Sequence, residues 1–350
     1  MGIMPHTSVD RALELALGLD IPFWPQLPNL SFHEDMYVQA AEHFPGMRVD
    51  SQARKVVFDS HLFQEEVLSI YSSGAEKAET FMLSESYSSV YSRFLELDLA
   101  SYAAIRGQII GPVSFGFRVV DESMKPIIYD DEVRTILFDF LQRKANTQYR
   151  QLRERNHNAF VWLDEPGLGW VFSGMTGYND LQARSDYQAF MQGIEGPKGL
   201  HLCAGVNLPY LVELGVDILS FDAYQLGAMP HAYAEALGAF LRRGGIVGWG
   251  IVPSDPEGQR RESPESLVQR LSSYWNAIAE ATDLQLEQIA RQSLVAPARC
   301  MLKNVGRVGA EGEQATKVSP AGSAETEEKL VEAAFDRTKL VSRALQQRYL

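Results

Sequence analysis

The chain has 350 residues, 45% of them hydrophobic and 22% charged, the make-up of a soluble protein with a packed core rather than a disordered one. Lys and Arg number 32 against 45 Asp and Glu, and the net charge of −13 argues against a nucleic acid or an anionic membrane held through a basic surface. Two cysteines, Cys203 and Cys300, exclude a disulfide scaffold and point to a reduced, cytoplasmic setting. The longest apolar region, Ile105–Val120, is broken by Arg106, Gln108 and Arg118, so no membrane span is expected. Asp10, Arg11 and Glu14 stand where the core of a signal peptide would be apolar.

In chain order, short apolar runs of strand length lie at Ile21–Leu27, Ala104–Phe115, Ala159–Pro166, Lys198–Gly205, Val216–Ala223, Gly244–Val252 and Ser293–Cys300. Helical patterns separate most of them, at Ser8–Leu17, Asp131–Asn156, Asp180–Ile194, Leu208–Leu214, Pro230–Arg243 and Ser263–Gln292. Strand and helix alternating in this way predict right-handed parallel βαβ units. With Gly2–Met4 as an opening strand the runs make eight, the arithmetic of a (β/α)8 TIM barrel in an α/β chain. A doubly wound open sheet is the alternative, but no glycine-rich phosphate fingerprint follows any of the runs, which favours the barrel. The whole chain, 1–350, reads as one barrel domain. Residues 33–101 form an insertion between the second and third strands, 305–324 a flexible loop rich in Gly, Ser, Ala and charge, and 325–350 a final helix.

In a barrel, polar residues at the carboxyl ends of strands gather around one mouth. The fifth run carries His201 and Cys203, which alternation puts on one face, the sixth ends in Asp222 and the eighth in Cys300. One imidazole, two thiols and a carboxylate make a zinc set, since a borderline-soft ion prefers sulfur and nitrogen in tetrahedral array. Against this, a free cysteine is usually a small buried hydrophobe, and it is the joint placement that singles these two out. Ser114, in Gly111-Pro-Val-Ser, and His6 are candidate donors to a substrate. The structural alternatives are a turn serine and a buried histidine.

The stretch HLCAGVNLPYLVELGVDILSFDA resembles the His-x-Cys…Asp-Ile-x-Ser-x-Glu segment of cobalamin-independent methionine synthases. It equally resembles the His-x-Cys-Gly segment of corrinoid:coenzyme M methyltransferases and uroporphyrinogen decarboxylases, which share a barrel superfamily. VAPARCML is similar to the family's Pro-x-Cys-Gly-Leu zinc segment, with Met301 in place of Gly. IIGPVSF, WLDEPGL and MGIMPHT are similar to its Thr-Gly-Pro-Val-Thr, Ile-Asp-Glu-Pro-Ala-Leu and Ile-Gly-Ser-Phe-Pro-Gln-Thr motifs, all in the right order from residue 1 to about Leu302. The resemblance implies a single-barrel, "core" member of the methionine synthase type: a zinc-dependent methyltransferase that alkylates a thiol, homocysteine first among candidates. His201, Cys203 and Cys300 would be its catalytic metal ligands, with Asp222, one methylene shorter than the family's usual Glu, as the fourth or as a residue that orients another. Asp164 would hold the α-ammonium of homocysteine, with Glu165 beside it.

Two departures narrow the reading. Ile3 stands where the family has a carboxylate-binding Ser, and Val252 near where it has an acidic His. Those enzymes also carry a second, folate-binding barrel. A methyl-corrinoid on a partner protein is therefore the favoured donor, methyl-folate the other, because Co–CH3 needs no protonated leaving group. The alternatives are transfer to coenzyme M or another small thiol, a uroporphyrinogen decarboxylase-like activity, and a non-catalytic zinc- or thiol-binding barrel.

Overall fold

A computed structural model describes residues 2–71, 78–174, 176–203, 205–300 and 321–350. Its centre is a six-stranded parallel sheet of β3 (Ile105–Ile110), β4 (Ala159–Asp164), β5 (Lys198–Leu202), β6 (Ile218–Phe221), β7 (Ile246–Val252) and β8 (Ser293–Pro297), paired in that order. All six residues of β3 and all six of β4 are buried, as strands covered on both faces must be. Consecutive strands are joined through helices that cover the outer face, among them Asp131–Arg153, which packs on β3 and β4. That helix is capped by Asp130, whose carboxylate accepts from the amides of Glu132 and Val133, and it carries Arg150 and Arg153 in its last turn, matching its dipole at both ends.

The expected first and second strands, Gly2–Met4 and Ile21–Leu27, do not form among the described residues; these segments make isolated parallel bridges, and the parallel sheet has six strands. Ile3 pairs with Gln26, and Phe23 with Arg106, which extends the sheet beyond β3. The sheet is curled. Phe160 and Trp162 of β4 gather with Ile218 of β6, Ile246 of β7, Leu294 of β8, Ile21 and Ala104 in a small apolar interior, separate from the main core. In a flat sheet, strands four places apart would stand about 19 Å from each other, at ~4.8 Å per step.

Local chemistry shifts some expected boundaries. The run Ala104–Phe115 stops being a strand at Ile110, because Gly111 and Pro112 start a helix, Pro112–Arg118, with proline at its first turn. The expected helix over Ser263–Gln292 is two, Pro264–Thr282 and Leu286–Arg291, broken where Asp283 takes φ 55°. The final helix runs Ala321–Tyr349, so it absorbs residues 321–324 of the expected loop, and the rest of that loop lies outside the described residues. No helix among the described residues is long and apolar enough to cross a membrane.

The insertion holds an antiparallel hairpin, β1 (Met47–Asp50) with β2 (Lys55–Phe58), and the helices Met36–Ala41, Ser60–Tyr71 and Ser89–Leu95. It is fastened by buried polar contacts. Glu34 accepts from the hydroxyls of Ser88 (2.8 Å) and Ser89 (3.2 Å) and from the amide of Val90, and Glu42 pairs at 3.5 Å with Lys144 of the helix on β3 and β4. Asp35, also buried, caps Met36–Ala41 by accepting from the Tyr37 amide at 2.8 Å, and burial pushes its carboxyl up to about 6. An acid whose affinity for its proton is greater when folded destabilises the fold as pH rises, here from the ordinary value of 3.8 to about 6. Asp35→Asn keeps a capping side chain and removes the titration. The variant should therefore gain about 2 kcal/mol over the parent at pH 7 relative to pH 4, read from urea midpoints at both pH values. A pH-independent difference would show that Asp35 is not a buried acid.

Candidate functional site

The carboxyl ends of the strands carry the polar residues expected there. Asp164, His201 and Ser220 are direct partners across β4, β5 and β6, so their side chains share a face. His201 is buried. Its Nδ1 lies 3.1 Å from the Ser220 hydroxyl, its Nε2 is buried without a hydrogen-bond partner, and its ring packs 5.8 Å from that of Trp162. Burial holds the imidazole well below its ordinary pKa, so it is neutral at pH 7. The neighbour of Ser220 on β7 is Gly248, where a Cβ would fall 2.8 Å from that of Ser220; a glycine is what lets the serine sit there.

Cys203 follows β5 and Cys300 lies three residues beyond β8. Burial pushes the Cys203 thiol up to about 12, with the charges of Cys300 and Asp164 adding and that of Arg299 opposing. The Cys300 thiol is raised by burial and by the charge of Asp164, with the backbone of Ile3 and Gly2 opposing. The charge of Asp164 thus acts on both thiols. Asp222 is tied elsewhere by one oxygen, which accepts from Arg299 Nε at 2.5 Å; its Oδ1 is buried without a partner. Burial raises its carboxyl against Arg299. Among the described residues no three His, Cys, Asp or Glu side chains stand together closely enough to hold a metal ion.

The other expected residues separate. Asp164 is buried, and its carboxyl is pushed up to about 6 by that burial, with Arg106 of β3 opposing. Glu165 and Ser114 serve each other: Glu165 accepts from the amides of Val113 (3.0 Å) and Ser114 (2.8 Å) and from the Ser114 hydroxyl (2.6 Å), whose oxygen in turn accepts from the Gly167 amide (2.8 Å). A Cβ at Gly111 would lie 2.1 Å from the Glu165 carboxylate, so the carboxylate fills the space a side chain would take. His6 is buried facing the final helix, 4.0 Å from Glu332, which also holds Arg11. Burial lowers its pKa, against the charges of Glu328 and Glu332.

Four residues of the site were not singled out in the sequence. Arg106 lies between the rings of Phe23 (4.6 Å) and Trp162 (5.0 Å) and donates to Gln108. Ser220 orients His201, and Arg299 holds Asp222. Tyr37, from the insertion, stacks on Phe115 at 6.2 Å. Its phenol is pushed up by burial, against Arg118 and with the charges of Asp35, Glu165 and Cys203. Arg106 had a sequence signal, a charge inside an apolar strand. Tyr37 had none, because only the folded insertion brings it there.

No family model matches the chain, and no curated protein does. Among solved structures, the chain is similar to a candidate vitamin-B12 independent methionine synthase from Listeria monocytogenes, at 14% identity and a TM-score of 0.42, over 70% of this chain and 68% of that one.

Ser114→Ala would leave both Glu165 and the Gly167 amide short of a partner in a buried place. It should cost about 1–3 kcal/mol of stability, seen as a lower urea midpoint at unchanged slope. An unaltered midpoint would mean that the contact holds nothing together.

Proposed function

We propose that the chain is a cytoplasmic, single-domain (β/α)8 barrel and a zinc-dependent S-methyltransferase, with homocysteine as acceptor and a methyl-corrinoid carried on a partner protein as donor. Support comes from the motif order and from the chemistry gathered at the strand ends. One observation carries the reading: a neutral, buried His201 whose Nδ1 is held by Ser220 and whose Nε2 has no partner, on the strand that leads to Cys203. A ligating imidazole is oriented in this way by a hydrogen bond on its other nitrogen. His201, Cys203 and Cys300 would hold zinc, with Asp222 offering its unpartnered Oδ1. When bound, the ion supplies the positive charge that keeps an incoming thiol deprotonated at neutral pH.

The chain's own groups do the rest. Asp164 receives the α-ammonium of the acceptor. Trp162 and Tyr37 shield the reacting sulfur from water. The S–C bond forms as the donor's bond to the methyl carbon breaks; the electron pair stays with the donor and the thiol proton leaves to solvent. Val252, in place of an acid, suits a donor whose leaving group needs no proton.

Zinc would displace the protons of two thiols that burial holds on the sulfurs, so its affinity should climb from pH 6 to 8. Purified protein should carry one zinc per chain, with Cys203→Ser and Cys300→Ser each nearly emptying it. Ser220→Ala should weaken it about 10–100-fold. Full activity from chelated, metal-free protein would refute the reading, and homocysteine bound without turnover under any methyl donor would leave a thiol-binding barrel.

A second reading, a small thiol without an amino group, is favoured by Arg106, which already gives Asp164 a counter-charge. Asp164→Asn separates the two. It should raise KM for homocysteine roughly 10–100-fold, the worth of a charged hydrogen bond, and leave a thiol lacking the α-amino group little changed. Equal effects on both would select the second reading.

A further inference from the structure

Where the central strands begin, a cavity of about 370 Å³ lies between the segment Leu19–Phe23, β8 and the final helix. Close-packed interiors rarely hold a void much larger than a water molecule, whereas sites for small molecules reach this size. Five aromatic rings form its walls among the described residues. Phe160 and Trp162 stand on β4, Phe23 on the segment bridged to β3, Trp275 on the helix Pro264–Thr282 and Phe335 on the final helix. All five side chains are buried, and Leu294 and Leu345 add apolar surface between them.

Four charged side chains also border the cavity, and each is already engaged or in water. Arg106 lies between the rings of Phe23 and Trp162 and donates to Gln108. Arg291 holds Glu287 at 2.7 Å, and Lys339 holds Asp336 at 3.1 Å. Asp20 is exposed, where an ion pair is worth little. A charged ligand entering here would give up its hydration without meeting a buried counter-charge, which is costly. A neutral ring system loses little water, and it meets the faces and edges of aromatic neighbours on several sides.

We propose that this cavity is a binding site for a neutral, planar aromatic molecule of about a dozen non-hydrogen atoms, at roughly 30 Å³ each. Two fused rings with one short polar substituent match that size. The rings lie among Phe160, Trp162, Trp275 and Phe335, and binding depends on neither the thiols nor a metal.

Calorimetric titration of the whole protein with naphthalene-2-methanol, naphthalene-2-carboxylate and naphthalene-2-methylammonium tests it, because the three share a ring system and differ in charge. One equivalent of the alcohol should bind, at least tenfold more tightly than either ion. Ser342→Phe, which fills the cavity from the final helix, should weaken the alcohol at least tenfold while the thermal unfolding midpoint of the free protein stays within a few degrees. Ser342→Leu, a smaller filling, should weaken it less, and it takes the place of the phenylalanine variant if that one does not fold. The proposal is overturned if the parent takes up no alcohol, if either ion binds the parent as tightly as the alcohol does, or if a folded filling variant binds the alcohol undiminished.

Discussion

A parallel sheet covered by helices hides both of its faces, so each polar side chain set inside must find its partner there. This chain meets that constraint at several strands. Arg106 is held between two aromatic rings and donates to Gln108, whose own amide reaches the carbonyl of Trp24. Glu165 is surrounded by donors from the next helix. His201 is matched on one nitrogen only. Other buried polar atoms lack a partner too, among them those of His6, Tyr187 and Ser272, but His201 Nε2 and Asp222 Oδ1 are the ones that lie at the carboxyl ends of strands.

Much of the central sheet was legible because burial on both faces writes a plain signature. The runs around Ile105, Ala159, Lys198, Val216, Gly244 and Ser293 are apolar without alternation, and each became a strand. Gly2–Met4 and Ile21–Leu27 are shorter contacts, and apolar character alone does not reveal that they pair through single bridges. Pro112 turned part of an expected strand into a helix because a carboxylate distant in sequence, Glu165, was there to accept the first amides. The insertion was opaque for a related reason. Its hairpin and helices are settled by Glu34, Asp35 and Glu42, polar residues that look like surface until their partners are known.

The site was legible as a list of chemical types and not as a set of neighbours. His201, Cys203 and Cys300 fall at strand ends as expected, and the thiols share a field with Asp164. Ser114 and Glu165 instead bond to one another, and His6 turns toward the final helix. Motif spacing cannot tell a residue that meets a substrate from one that braces the residue beside it. Ser220 and Tyr37 show the reverse: both stand at the site, and neither carries a sequence mark.

Ile3 meets Gln26 through a single parallel bridge, with hydrogen bonds from the Met4 amide to the Gln26 carbonyl and from the Gln26 amide to the Gly2 carbonyl on either side. Two backbone bonds are a slender tie beside the full ladders that join β3 to β8. Local opening therefore releases the leading segment before the paired strands, and the stability of this margin is set apart from that of the sheet's centre.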